Sequence, residues 1–416
     1  MPVRLTDEER AIAAGSDAAA MSMRILAEMG AMLGAERLIR VTSSHIDGGL
    51  YHGDSGVHFA ERLVGEGARV AIPSTMNVGG LDLITPATVK ADPHRHEMAL
   101  RLMKAYEAMG CWPTWTCSPY QAGHRPKFGE QVAWGESNAV AFCNSVLGAR
   151  TNRYGDFLDI CCAIVARAPD YGLHRAEKRR ATILVDTSAL SHALKASDVF
   201  YPVLGAWYGA EIGNAIGVIE GLPPFTSEDQ LKALGAAAAS SGAVGLFHVA
   251  GVTPEAPTAA AALGNQPPEK TIRLDAAMLR TARDRLSTVK GERIDAVALG
   301  SPHFSLEEFE ALEDLIDGRH VKLPFFVCTG RHVVAELERR RRLKPLQQAG
   351  VTVVADTCVV VAPILPSRSG VLMTNSGKFA HYTPANTGYE VVYGSLADCV
   401  KSAIEGRVSR DEGLWS

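Results

Sequence analysis

The last third of the chain alternates short apolar runs with helical patterns, and few architectures accommodate that alternation. Asp295–Leu299, Pro324–Val327 and Val351–Ala355 are rich in Val or Phe, and Leu306–Ile316 and Val333–Gln348 between them carry a helical period. Strands separated by helices cannot pair as hairpins, so each helix crosses over and the strands lie parallel in one sheet. The runs end at Gly300-Ser301-Pro302-His303, Cys328-Thr329-Gly330-Arg331 and Asp356-Thr357-Cys358. Cys328 follows Ser301 by 27 residues and Cys358 follows Cys328 by 30, the length of one strand, one helix and a return turn. The three ends therefore fall side by side at the carboxyl edge of the sheet, where open α/β folds bind ligands.

Upstream, Thr6 with Glu9 is a capping box for a first helix, and Ala-rich and Met-rich turns continue to Gly34. Leu38–Thr42 reads as a strand that runs into Ser43–Gly53, a polar, glycine-rich segment expected to be a binding loop outside the core. Gly56–Val64 reads as helix, Arg69–Ile72 as a short strand, and Pro73–Gly80 as a second polar loop. A helix over Glu97–Met109 precedes Trp112–Tyr120, whose two prolines place Cys117 in irregular structure. Gly135-Glu136-Ser137-Asn138 opens a helix carrying Cys143, Asn144 and Ser145, and Phe157–Arg167 forms another. Apolar runs at Thr182–Val185, Ala215–Ile219 and Gly245–Ala250 alternate with helical ones, and Thr253–Glu269, rich in Ala, Pro and Thr, reads as a linker.

At 416 residues the chain has room for two or three domains. Lys and Arg number 42 against 46 Asp and Glu, a net charge of −4, so the basic surplus that nucleic acid or an anionic membrane requires is missing. A small-molecule substrate is the expectation. Eight cysteines are too sparse for a disulfide scaffold, and Asp7, Glu8, Glu9 and Arg10 are too charged for a secretory signal, which points to the reducing cytoplasm. Ala233–Pro254 lacks Asp, Glu, Lys and Arg, but Ser240, Ser241, His248 and several glycines make it a poor membrane span.

The strand-end residues Ser301, Cys328 and Cys358, with Cys117, could ligate a metal centre. No CxxC and no local HxxxH occurs, so a zinc ribbon is a poor reading, whereas an iron–sulfur cluster takes thiolates from distant positions. The bland alternative is that each cysteine is a small core residue. Cys161 and Cys162 are adjacent on a helix and point about 100° apart, so they cannot face one site, and Cys111, Cys143 and Cys399 read as structural. Gly53-Asp54-Ser55-Gly56 opens a helix rather than presenting a nucleophile, His96-Glu97 lacks a second zincin histidine, and no phosphate-binding or dinucleotide fingerprint is present. Thr374–Tyr382, by contrast, gathers hydroxyl, amide, ammonium and imidazole groups after Val371-Leu372, with Ser367-Arg368-Ser369-Gly370 before it, as an anionic substrate would need. Its alternative is a solvated face carrying Lys378 and Arg368.

Eight ordered blocks together resemble the large subunit of the aconitase X family, in the aconitase superfamily. They are HIDGGLYHGDSG at His45–Gly56, the Pro73–Leu83 loop, TCSPY at Thr116–Tyr120, GESNAVAFCNSVLGARTNR at Gly135–Arg153, HVAGVTPE at His248–Glu255, GSPHFSLEE at Gly300–Glu308, DTC at Asp356–Cys358 and TNSGKFAHY at Thr374–Tyr382. The resemblance implies an α/β, aconitase-like fold of several parallel or mixed sheets with crossover helices. Three α/β subdomains are expected near 1–170, 171–268 and 269–416, with the small swivelling domain as a separate partner subunit.

The activity implied is an iron–sulfur hydro-lyase acting on cis-3-hydroxy-L-proline or on mevalonate 5-phosphate. The phosphate branch has Cys where this chain has Ser301 and a first loop closer to HVSGVSY, so both departures favour hydroxyproline. Cys117 and Cys358 carry over as cluster ligands, with Cys328 as the third and the Ser301 position as its alternative, which favours [2Fe-2S] over [3Fe-4S] or [4Fe-4S]. Lys378 and Ser376 are the catalytic candidates. Asp47, Gly48, Gly49 and Asn77 would cradle the substrate ring, and Val78, Ser137, Asn144, Ser145 and Asn375 complete the substrate contacts. A thiol-dependent hydrolase using Cys117 or Cys328 with His303, His248 or His45, and a non-catalytic subunit, are the competing readings.

Overall fold

The computed structural model describes residues 2–415. Residues 1–81 with 91–180 make one compact unit, and 82–90 with 181–416 make a second. In the first, β1 (Leu38–Arg40) pairs antiparallel with a later strand, Arg167–Pro169, while β2 (Ser44–Ile46) is the centre of a three-stranded parallel sheet flanked by β3 (Ser74–Met76) and β4 (Ala133–Trp134). The segment expected to be a loop outside the core is thus partly its middle: Ser44, His45 and Ile46 are fully buried. Polar side chains are tolerated there because each finds a partner, Ser44 Oγ donating to the Ala133 carbonyl and His45 meeting Thr75 on the neighbouring strand. Likewise Arg69–Ile72 is not a strand; the strand is the next segment, Ser74–Met76. The helix expected over Phe157–Arg167 covers Leu158–Val165, and Arg167 belongs to the strand Arg167–Pro169, β5. The first helix stops at Ala13, and a second, Ala18–Met32, restarts on its own cap Asp17.

The second unit holds two parallel sheets. β6 (Ile183–Asp186), β7 (Gly217–Glu220), β8 (His248–Val249) and β9 (Lys270–Arg273) are ordered β8-β7-β6-β9. Thr253–Glu269 does not behave as a linker, since Ala256, Ala259, Ala262 and Leu263 are buried with Val218 in the core under this sheet. The other sheet is β12-β11-β10-β13-β14, from β10 (Ala296–Phe304), β11 (Phe325–Thr329), β12 (Val351–Ala355), β13 (Gly370–Thr374) and β14 (Tyr389–Tyr393). Every pair in it is parallel, so the ends of β10, β11 and β12 do lie side by side. One face buries Val297, Leu299, Val327, Met373 and Val392 against Phe309, Leu312 and Leu337 of the helices Leu306–Ile316 and Arg331–Arg339, each such side chain contributing roughly 1.5–3 kcal/mol. The helix expected over Val333–Gln348 is two, Arg331–Arg339 and Leu343–Gln348, because Arg341 takes φ +59° between them.

β10 runs five residues past the apolar stretch that marks it in the sequence, from Leu299 to Phe304, and its register against β11 shifts between those two residues. Gly300 makes this possible: its φ is +90°, and a Cβ there would lie 2.0 Å from the Cys328 carbonyl oxygen. The irregular strand end carries Ser301, Pro302 and His303 into the buried layer at the sheet edge.

Candidate functional site

In the first unit the polar residues collect where β2 and β3 end. Their parallel register sets His45 opposite Thr75 and Ile46 opposite Met76, and the Asn77 amide donates to the Ile46 carbonyl at 2.8 Å. The chain then turns through Asp47, whose backbone N–H donates to Asp159 Oδ2 at 2.6 Å and whose carboxylate accepts from Asn77 Nδ2. Asp159 is fully buried, and burial holds its carboxyl well above the usual carboxylate range, with the Asp47 charge adding to the effect. Asp47 itself is partly exposed. Asn77 is 5% exposed, and its Oδ1 has no hydrogen-bond partner among the described residues, an arrangement that suits an incoming donor. Gly48 and Gly49 are buried, and a Cβ on Gly48 would stand 2.3 Å from the Tyr106 hydroxyl, so a packing demand alone accounts for that glycine. Val78 is buried beside Asn77 in sequence.

Cys117 is buried in an irregular segment, as expected. The residue that holds it was not visible in the sequence. Asn138, completely buried in the helix Ser137–Ser145, donates from Nδ2 to the Cys117 carbonyl at 3.0 Å and to the Tyr120 hydroxyl at 3.2 Å. Glu136 caps that helix, accepting from the Ala139 amide at 2.6 Å, and Ser137 donates to Glu136. Asn144 is occupied structurally: its amide exchanges hydrogen bonds with the Thr151 backbone and accepts from Arg179. It and Ser145 are buried in the same helix.

In the second unit, Cys358 lies three residues past the end of β12, and Asp356, two residues before it, holds φ +63°. That left-handed residue is fixed by a bidentate ion pair with Arg331, 2.8 Å to each oxygen, and by the Leu83 amide. Asp82 braces the same corner, accepting from the Ala355, Ile84 and Thr85 amides. His303 Nε2 donates to the Thr357 carbonyl at 3.3 Å, and its pKa falls to about 3 through burial first, with the charges of Lys232 and Lys378 among the lesser contributions. Lys378, partly exposed, is the second residue of the helix Gly377–Thr387, whose N-cap is Ser376. Ser376 Oγ accepts from the Phe379 amide at 3.0 Å and donates to the Ser301 carbonyl. Its hydroxyl thus ties that helix to the irregular end of β10. Asn375 is partly exposed beside it.

Cys328 is fully buried inside β11, one residue from its end, and Ser301 is buried within β10. Among the described residues no three His, Cys, Asp or Glu side chains form a metal-holding group. Cys117 and Cys358 are buried thiols in irregular segments with braced backbones, the donor chemistry an iron–sulfur centre takes. Cys143, Cys161, Cys162 and Cys399 are completely buried, and burial pushes each thiol up, which suits inert core residues. Among the described residues no helix is long and apolar enough to cross a membrane.

Comparison with known proteins bears on all of this. The aconitase X first-domain model matches residues 2–177, the second-domain model 181–284 and the third-domain model 294–405. A cis-3-hydroxy-L-proline dehydratase of Pseudomonas aeruginosa is 43% identical over 99% of this chain and 72% of its own length. The phosphomevalonate dehydratase large subunit of Methanothermobacter thermautotrophicus is 39% identical over 91% of this chain and 93% of its own length. The crystal structure of aconitase X from Thermococcus kodakaraensis superposes with a TM-score of 0.87 at 34% identity, covering 96% of this chain and all of that one. With three domain models in order along nearly its whole length and an aconitase-X fold, the chain belongs to the aconitase X family.

Proposed function

We propose that this chain removes water from cis-3-hydroxy-L-proline to give Δ1-pyrroline-2-carboxylate, working in the cytoplasm with a small partner subunit. Asp47 carries the reading: a partly exposed carboxylate, held by the Asn77 amide on a backbone that Asp159 fixes, suits the ring ammonium of an amino acid and would repel a phosphate. The dehydratase name and 43% identity of the Pseudomonas relative support it. The name of the archaeal relative, a large subunit, supports the small partner.

The reaction breaks a C–H bond beside a carboxylate and expels hydroxide from the adjacent carbon. An iron–sulfur centre ligated by the Cys117 and Cys358 thiolates, of [2Fe-2S] type, would supply Lewis acidity toward the leaving oxygen. Asp47 pairs with the ammonium and orients the ring. Lys378 holds the substrate carboxylate and opposes the charge that gathers on it as the proton leaves. Ser376 sets the helix that presents Lys378, and Asn375 adds an amide. The enamine formed tautomerises to the cyclic imine.

The archaeal relative supports a second reading, mevalonate 5-phosphate as substrate. The test is to prepare the chain anaerobically with a small-subunit partner, measure iron and acid-labile sulfide, and trap the cyclic imine from cis-3-hydroxy-L-proline. Imine formation is expected; water loss from mevalonate 5-phosphate alone would replace this reading by the second.

A further inference from the structure

β10 parts from its neighbour just where it turns irregular. Pairing with β11 runs to Leu299 and resumes only at Phe304, and Ser301 and His303 between them are buried. Buried carbonyls that leave a ladder must be met by other donors. Two side chains meet these: Ser376 Oγ donates to the Ser301 carbonyl, and Lys232 Nζ donates to the His303 carbonyl at 3.3 Å. Lys232 comes from the helix Glu228–Gly242, 71 residues away in the chain, and is only 2% exposed.

A lysine is seldom buried unless it is paired, and this one is held on every side. Its ammonium lies 2.7 Å from Asp229 Oδ1 and 2.5 Å from Glu308 Oε2, which with the His303 carbonyl gives one acceptor for each of its three N–H donors. The acceptors stand on three elements: Asp229 on the helix of Lys232 itself, Glu308 in the helix Leu306–Ile316, and His303 in β10. Ser305 closes the cluster, its Oγ donating to Asp229 Oδ2 at 2.6 Å and its backbone N–H to Glu308 Oε2 at 2.8 Å. Burial takes Glu308 up to about 7 against the pull of Lys232, so its carboxyl holds a proton part of the time at neutral pH. Charges taken out of water are repaid only in good geometry. Here the three directed contacts supply it, and one of them grips a carbonyl that an apolar side chain would leave unmet.

We propose that Lys232 is a positioning residue for the dehydration, clamping the end of β10 so that the Cys358 turn and the Lys378 helix keep their places. Both depend on the gripped segment. The His303 ring reaches the Thr357 carbonyl at 3.3 Å, next to Cys358. Ser301, two residues before His303, receives the hydroxyl of Ser376, the cap of the helix that presents Lys378. Lys232 acts on them through the backbone it holds, and all of these residues belong to the second compact unit. A displacement of about 1 Å at a reacting group costs about a hundredfold in rate, so a clamp at this point is felt in turnover. The kinetic half rests on the dehydratase reading, whereas the clamp itself does not.

The whole protein carrying Lys232→Met together with Glu308→Gln, compared with Glu308→Gln alone, tests this. Met matches the length of Lys without its donors, and Gln has the shape of protonated Glu308, so the double variant leaves no uncompensated glutamate. In hydrogen exchange read by mass spectrometry, amides of 300–305 and 374–379 should exchange at least about tenfold faster in the double variant, with those of β11 unchanged. Its kcat for cis-3-hydroxy-L-proline should fall at least about tenfold. Faster exchange throughout the unit would make Lys232 a general stabiliser and overturn the proposal. Unchanged exchange in the two segments, or a kcat equal to that of Glu308→Gln, overturns it as well. Should the double variant fail to fold, Lys232→Gln, which keeps a donor beside the acids but ends one bond short of the His303 carbonyl, takes its place with the same outcomes. Absence of any turnover by the unaltered protein would count against the assigned function and leave the exchange test standing.

Discussion

Gly48→Ala, alone and combined with Tyr106→Phe, separates packing from binding in the first glycine loop. A Cβ at Gly48 would lie 2.3 Å from the Tyr106 hydroxyl oxygen and 3.2 Å from the ring carbon that bears it. Tyr106 is completely buried in the helix Pro93–Ala108, so it cannot swing aside, and relieving the contact takes a shift of about 1 Å. Such overpacking costs about 1–3 kcal/mol. Removing the hydroxyl leaves the 3.2 Å contact, which a few tenths of an ångström relieve. The coupling between the two substitutions should therefore be about 1–2 kcal/mol, with Gly48→Ala milder once Tyr106→Phe is already in place. Urea unfolding of the four proteins measures it. Additivity within about 0.5 kcal/mol would refute the packing explanation. Kinetics on the double variant adds the functional half: if Gly48 also lines the substrate, KM stays raised although stability recovers.

Cys117→Ala and Cys358→Ala should each abolish iron binding, whereas Cys143→Ala, in the core beside Phe142, should keep its iron; normal iron and sulfide in either of the first two removes the ligand assignment. Lys378→Ala should lower kcat/KM at least about tenfold with the cluster intact, since a charge-assisted contact is worth about 1.5–3 kcal/mol, and wild-type efficiency would make it a surface residue. Acid should destabilise the protein before its ordinary, unshifted carboxylates titrate. His45, His124, His174 and His303 are all depressed to about 3 or 4 by burial, so the unfolded chain binds their protons first as pH falls below about 6.5. Each should cost about 1 kcal/mol between about pH 7 and 5.5, with Asp159, whose carboxyl is shifted the other way, offsetting part. Urea midpoints that stay level or rise over that interval contradict this.

The parts that could be read from sequence are those whose burial is continuous. β11 is covered on both faces and appears as an apolar run, and the helix Leu306–Ile316 announces itself by period. β2 and β3 are equally buried but only three residues long, and Ser44, His45 and Thr75 meet partners that only the folded sheet supplies. Polarity made them look like loops. Asn138 and Asp159 were hidden for the same reason: their importance lies in which backbone groups they meet. The position of Cys358 at the sheet edge was legible because a strand ends three residues before it, while the part the Ser376 hydroxyl plays in capping a helix and donating to the Ser301 carbonyl was not. The grip of Lys232 on the His303 carbonyl had no local signal at all, since 71 residues separate the two.

The most direct measurement is the ratio of kcat/KM for cis-3-hydroxy-L-proline and mevalonate 5-phosphate, taken on one anaerobic preparation of the chain with a candidate small subunit. A site built around the Asp47 carboxylate should favour the amino acid by about a hundredfold or more, and Asp47→Asn should erode that preference through KM. A ratio near one, or one that favours the phosphate, would contradict the account.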